Sequence, residues 1–270
     1  MSDRPTKTLA SYTLDGITPT KVVTPTSIEE LQQAIAESSS QNSGSVPWGG
    51  GTRMTLGNTP TAYDTAVDLT SLNQLVEHNP GDLTITVEAG HTLANLNSAL
   101  TEHGQFLAID PPLPEQATVG GILAVGTSGP LKWQYGNPRD LVIGMSVVQS
   151  DGILTKSGGQ VVKNVSGYDM SRLHIGGLGS LGIIAEVSFK LSPLPVQEAT
   201  LLARFKDRGE AMEGALGVFH GHVAPLALTV FDAVAARKIG IGSREDSWYM
   251  AVRLGGRQMS LSRQLQECDS

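Results

Sequence analysis

Residues 46–54 read VPWGGGTRM and residues 118–129 read TVGGILAVGTSG. Glycine lacks a Cβ, so its backbone can approach a ligand closely and adopt positive φ without strain. Successive amides in such turns can converge on an anion, forming a nest suited to a diphosphate. A third glycine-rich stretch, GGLGSLG, occupies residues 176–182. Together the three suggest several loops closing on one long phosphate-containing ligand. Each also has a bland reading: a tight surface turn for Gly49, Gly50 and Gly51, and close helix packing for Gly120 and Gly121.

The first loop offers backbone amides, the Thr52 hydroxyl and the Arg53 guanidinium, the groups that bind a diphosphate. It lacks the Gly-Lys-Ser/Thr ending of a nucleotide-triphosphate loop. It also lacks the spaced glycines that open the helix of a dinucleotide-binding βαβ unit. The stretch at 176–182 runs into a strand-like segment rather than a helix, which argues against that fold as well. Thr118 precedes a predicted helix, whose first amides would be free for an anion.

With 270 residues, 40% hydrophobic and 17% charged, the chain is globular and has room for one large or two small domains. Its 31 glycines are clustered, not periodic, which excludes a collagen-like repeat. A net charge of −7 argues against a broad nucleic-acid face. The single cysteine, Cys268, excludes an internal disulfide, a multi-cysteine zinc site and a cysteine-ligated iron–sulfur cluster within this chain. The N-terminus is polar, and no uninterrupted apolar run reaches membrane-spanning length. The expectation is a cytoplasmic protein without direct membrane insertion, meeting membranes only through partner subunits.

Short strand and helix signals alternate through the first half. Strands are predicted at Lys21–Val23, Ala66–Leu69, Gln74–Glu77 and Leu83–Glu88, the last with Leu83, Ile85 and Val87 on one face. Ser27 with Glu30 reads as a capping box before a helix carrying Ile28, Leu31 and Ile35. Thr92 is placed to cap a second helix with Leu93, Leu96 and Leu100, stopped by Gly104. Asp151-Gly152 signals a hairpin between Leu141–Gln149 and Ile153–Lys156. A strand at Ile183–Leu191 ends at the Ser192–Pro195 run, which marks a boundary between a domain at 1–194 and a smaller α+β unit at 195–270. Ser260–Glu267 reads as a helix opening just before the sequence ends, so the second unit is read as abbreviated or truncated.

The stretch from Trp133 to Asp140 combines aromatics, a turn and an Arg-Asp pair. Lys163 to Asp169 brings a lysine, polar groups and Tyr168 together; it can serve a ligand, or Asp169 can cap the helix carrying Met170 and Leu173. His220 and His222 have metal-ligand spacing without an acidic partner, which disfavours a metal site. No serine nucleophile sits in an elbow context.

In order, these segments resemble the PCMH-type, vanillyl-alcohol oxidase-like FAD-binding family from about Val22 to Leu194. The resemblance implies an α+β, two-subdomain FAD-binding fold followed by a cap-like unit. It implies FAD contacts from Pro47, Trp48, Gly49, Gly50, Gly51, Thr52, Arg53 and Met54. Pro112, Leu113, Thr118, Gly120, Gly121, Ser128 and Gly129 supply a second contact segment. Gly136, Arg139 and Asp140, with Gly182, Ile183 and Ile184, complete the pattern. The strings PPLPEQATVGGILAVGTSGP, YGNPRDLVIG and GGQVVKNVSGYDMSRLHIGGLGSLGIIAEVSFKLSPLP most resemble flavin subunits of bacterial glycolate oxidases. Such subunits imply a second flavin subunit, an iron–sulfur subunit and oxidation of a small 2-hydroxy acid. Many family members tether the flavin through a histidine in the first loop. Here Gly51, Thr52 and Arg53 stand where that histidine could be, which implies non-covalent FAD.

Overall fold

The computed structural model describes residues 7–159, 169–241 and 246–269. In chain order its elements are β1 (Lys21–Val23), α1 (Ile28–Ser40), β2 (Ser45–Trp48), β3 (Thr65–Asp68), β4 (Leu75–Asn79), β5 (Thr84–Glu88), α2 (Leu93–Thr101), β6 (Gln105–Phe106) and α3 (Val119–Val125). There follow α4 (Lys132–Tyr135), α5 (Pro138–Leu141), β7 (Val142–Val148), β8 (Leu154–Gly158), α6 (Ser171–His174), β9 (Ile183–Lys190) and β10 (Ser192–Pro193). The last are β11 (Gln197–Phe205), α7 (Arg208–His220), β12 (Ala227–Asp232), α8 (Ala233–Lys238), β13 (Trp248–Gly256) and α9 (Gln258–Asp269). They form two compact units. The first takes the described residues up to Leu107, then Pro111–Thr127 and Asn137–Pro193. The second takes Ala108–Asp110, Ser128–Gly136 and the chain from Leu194.

Two sheets build the first unit: a parallel one in the order β1-β3-β2, and an antiparallel one in the order β4-β5-β9-β7-β8. Every residue of central β3 is buried, as expected for a parallel strand covered on both faces. Helix α1 joins the sheets through a shared core: its Leu31 and Ile35 pack with Val67, Leu69 and Leu72, and with Val148, Ile183 and Ala185. Ser27 caps α1 by accepting the Glu30 amide at 3.2 Å. The Glu30 carboxylate does not return to the Ser27 amide, as the predicted box requires; it accepts from the Thr26 amide and hydroxyl at 2.7 and 2.9 Å. Ser27 remains the cap, and the return bond ties Glu30 to the residue before it.

Strand β5 is flanked by β4 and β9, and all five of its residues are buried. The predicted one-sided alternation gives way because side chains are covered on both faces of this central strand. Leu83 lies outside the strand in the left-handed region at φ 55°. Thr92 precedes α2 without a capping hydrogen bond from its hydroxyl. Residues Thr92 and Thr118 instead pair as an isolated antiparallel bridge, which ties the start of α2 to the start of α3. The hairpin forms as read, with β7 and β8 antiparallel around a turn in which Gly152 has φ 82°.

Beneath β2 and β3 lies a small aromatic core of Tyr12, Leu14, Trp48, Tyr63 and Ala66. The Trp48 indole donates to Tyr63 Oη at 2.7 Å, and Tyr63 donates onward to the Tyr12 carbonyl at 2.8 Å. At the end of β3, buried Asp68 accepts from Tyr12, from Lys7 at 2.8 Å and from the Thr70 amide and hydroxyl.

In the second unit an antiparallel sheet runs β11-β13-β12. Met250, Val252 and Leu254 of β13 pack with Ala215 of α7 and Leu261 of α9. Helix α4 and Trp133 belong to this unit, with the Trp133 ring edge-on to Phe219 at 5.2 Å. The Ser260–Glu267 helix signal falls within α9, and α8 lies between β12 and β13.

Candidate functional site

A cleft of about 700 Å³ opens within the first unit, lined by all three glycine-rich segments. The glycines explain how the segments meet. A Cβ on Gly50 would lie 1.7 Å from the Gln116 carbonyl oxygen, and one on Gly49 would lie 2.1 Å from Thr118 Oγ1. These two positions must be glycine for the first loop to seat on the approach to α3. A Cβ on Gly120 would meet Ala89 Cβ at 2.7 Å, so this glycine lets α3 settle against the end of β5. The third segment docks on α3 through backbone bonds, Gly176 donating to Leu123 and Leu178 to Ala124 at 3.0 and 2.8 Å. It closes on the first loop where a Cβ on Gly179 would come 2.9 Å from Pro47 Cγ.

The start of α3 is not an open anion site. Its Val119 and Gly120 amides donate to the His91 and Ala89 carbonyls, and the Gly121 amide points to Thr118 Oγ1 at 3.4 Å. The expectation of free helix-terminal amides fails because neighbouring backbone has taken them. The first loop is different. Among the described residues, the amides of Gly50, Gly51, Thr52 and Arg53 donate to no protein acceptor, nor does the Gly179 amide. Gly51, at φ 72°, has only the Trp48 ring within 4 Å of where a Cβ would be.

Fourteen of the predicted residues line the cleft: Pro47, Trp48, Gly49, Gly50, Gly51, Thr52, Arg53, Met54, Thr118, Gly120, Gly121, Gly182, Ile183 and Ile184. The others do not. Leu113 is exposed at φ 56°, and beside Pro112 it turns the chain by accepting the Gln116 and Ala117 amides. Asp140 accepts the Asn137 amide at 2.8 Å, and Arg139 forms an exposed ion pair with it at 3.8 Å. Ser128, Gly129 and Gly136 belong to the second unit. There the Gly129 and Leu131 amides donate to the Asp110 carboxylate at 2.9 and 3.0 Å.

Leu14, Ser45, Leu56, Val125 and Leu178 also line the cleft and were missed. Ser45 could have been found from its place on the strand feeding the first loop; Leu14 is brought in by tertiary packing and leaves no local signal. The run from Lys163 to Tyr168 lies outside the described residues. His174 is buried beneath the third segment, and burial holds its imidazole below the usual range. Among the described residues no cluster of His, Cys, Asp and Glu could hold a metal ion.

An FAD site needs unclaimed amides for the diphosphate, bare backbone to lie against, and apolar walls for the rings. The cleft supplies all three, and its volume suits a cofactor. Arg53 is the one charged side chain lining it among the described residues. Because the amides are fixed and Arg53 is exposed, Arg53→Ala is expected to weaken FAD binding no more than about fivefold, read by flavin-fluorescence titration. A loss of a hundredfold would move the anion site onto the side chain.

Residues 19–158, more than half the chain, match the FAD binding domain family, and the chain belongs to it. Its cofactor is FAD. Crystal structures of alkyldihydroxyacetonephosphate synthase share this PCMH-type fold; one superposes with a TM-score of 0.77 over 94% of this chain and 50% of that one, at 19% identity. Glycolate oxidase subunit GlcE of Escherichia coli is 36% identical over 62% of this chain and 47% of its own length. Glycolate oxidase subunit GlcD of Bacillus subtilis is 31% identical over 79% of this chain and 46% of its own. D-2-hydroxyglutarate dehydrogenase of Xanthomonas citri is 32% identical over 82% and 46%. The chain thus spans about half the length of these curated relatives. Among the described residues no helix is long and apolar enough to cross a membrane.

Proposed function

We propose that this chain is the FAD-carrying subunit of a glycolate oxidase-like 2-hydroxy-acid dehydrogenase complex, holding FAD non-covalently and relaying electrons to partner subunits. The observation that carries the reading is the convergence of three glycine-rich segments on one cleft with unclaimed amides in its first loop. Similarity to two different glycolate oxidase subunits supports an assembly of more than one subunit; the second flavin chain and the iron–sulfur subunit that would receive electrons are part of the proposal. The unit from 195 to 270 is read as cap-like.

Bound FAD would supply a two-electron acceptor for the hydride released from the α-carbon of a 2-hydroxy acid. The chain's own part is to bind and orient. The first-loop amides hold the diphosphate, while Trp48, Val125 and Leu178 give the cleft an apolar wall. No histidine, cysteine or tyrosine is among the described residues lining the cleft, which supports non-covalent binding. No carboxylate, lysine or imidazole of the described residues lines it either, so none of them is assigned as the acceptor of the hydroxyl proton.

Acid precipitation of the purified yellow protein is expected to leave FAD in the supernatant. Anaerobic glycolate or lactate is expected to bleach the flavin only after partner subunits are added. Bleaching of the chain alone would support the stand-alone reading. Colourless protein that ignores added FAD would support a purely structural subunit.

A further inference from the structure

We propose that residues Lys7 to Leu14 form a clasp that sets the first glycine loop in its FAD-binding shape, with Tyr12 as the positioning residue acting through Trp48. The proposal rests on the FAD-binding reading of the cleft and concerns a segment that precedes the family match at residue 19. Three observations place the segment under the loop. Tyr12 is only 3% exposed, and its ring meets the Trp48 ring edge-on at 5.3 Å and 84°. Tyr63 bridges the same pair, accepting from the Trp48 indole and donating to the Tyr12 carbonyl at 2.7 and 2.8 Å. Leu14, the next buried residue of the segment, itself lines the cleft.

The far end of the clasp is anchored. Tyr12 Oη donates to the Asp68 carboxylate, which also accepts from Lys7 at 2.8 Å. Asp68 is the register partner of Trp48 across the β2–β3 pair. The anchor and the residue it positions therefore sit side by side on the sheet. Asp15 adds an outer tie by accepting from the Thr59 hydroxyl at 2.8 Å.

Trp48 is the last residue before Gly49, and among the described residues its ring is the one group within 4 Å of the Cβ position of Gly51, chain neighbours aside. Glycines do not hold their own φ and ψ, since the absence of a side chain leaves many conformations open. The loop must take its geometry from its surroundings. On one side it rests on Gln116 and Thr118; on the other it rests on Trp48. Fixing the indole thus fixes the direction in which the loop amides point. Pre-organised donors bind an anion more tightly than donors that must be ordered on binding.

The test is FAD affinity of the full chain, measured by flavin-fluorescence titration well below the melting temperature. Tyr12→Phe keeps the ring and removes the hydroxyl; Tyr63→Phe removes the bridge. Tyr12→Phe is expected to raise the FAD dissociation constant about tenfold, on the scale of one hydrogen bond to a charged group, and Tyr63→Phe about fivefold, on the scale of neutral hydrogen bonds. The double variant should fall short of the product of the two, because both act through Trp48. Leu100→Val, fully buried on α2 and outside the cleft lining, lowers stability without touching the clasp, and its dissociation constant should stay within twofold of wild type.

If Tyr12→Phe does not fold, exposed Lys7→Ala carries the test, with an expected threefold weakening. Wild-type affinity in folded Tyr12→Phe, or equal weakening in Leu100→Val, overturns the clasp while leaving the FAD site standing. A wild-type chain that binds no FAD overturns both.

Discussion

Gly50→Val is expected to give a protein purified without bound flavin. The cause is not the ligand but the neighbouring backbone. Even the first carbon of the new side chain would fall 1.7 Å from the Gln116 carbonyl oxygen and 2.6 Å from its carbon. Backbone cannot swing aside as a flexible side chain would, so the loop must leave its seat against residues 116–118. Overpacking of this kind costs about 3 kcal/mol or more. Gly50, Gly51 and Thr52 would then no longer be held in the wall of the cleft. Flavin absorbance per protein should fall to background, and the first thermal transition should move down by several degrees, while the second unit keeps its own core of Met250, Val252 and Leu254. Gly51→Ala offers the contrast. Its Cβ would meet nothing closer than 3.6 Å, so its main protein cost is positive φ, about 1–2 kcal/mol. Full flavin content in Gly50→Val would disprove this placement of the loop.

Asp68→Asn is the second large effect, and it is expected in stability. Burial opposes ionisation of Asp68, but hydrogen bonds from Lys7, Tyr12 and Thr70 outweigh it and hold the carboxyl below its usual range. The partner responds in the opposite sense: burial and the adjacent carboxylate push the Tyr12 phenol well above its ordinary value. A carboxyl whose folded pKa is lowered binds protons more readily when unfolded. Its stabilisation is therefore present above the unfolded value, near 3.9, and is lost as pH falls through the lower folded value. Replacing the charge with an amide should cost on the order of 2–3 kcal/mol at neutral pH. Urea titrations at pH 7 and in the acid range decide the matter: wild type and Asp68→Asn should converge as the pH drops below 4. Parallel curves across the whole range would mean that the charge contributes nothing.

Much of the architecture was legible because it is written locally. The apolar spacing of Leu31 and Ile35 and the Asp151-Gly152 turn each act over a few residues. Those readings match the structure because no distant contact competes with them. Leu83 fails for the opposite reason. Its sequence continues the alternation of β5, but a left-handed turn at φ 55° ends the pattern. The glycines were recognised as important, yet the sequence could not apportion their work. Gly49, Gly50 and Gly120 admit protein neighbours, whereas Gly51 faces the cleft; only coordinates distinguish the two uses. The aromatic clasp left no trace at all, since Tyr12, Trp48, Tyr63 and Asp68 come together from separate parts of the chain.

That dispersal governs when the cofactor can be captured. The walls of the cleft come from segments near residues 50, 120 and 178, and each is held in shape by another. Closing such distant loops is entropically costly, so they lock together late rather than one at a time. A ribosome-bound chain lacks a receptor for the dinucleotide until the strand beginning at Ile183 has emerged. From then on, flavin uptake and completion of the tertiary structure reinforce each other.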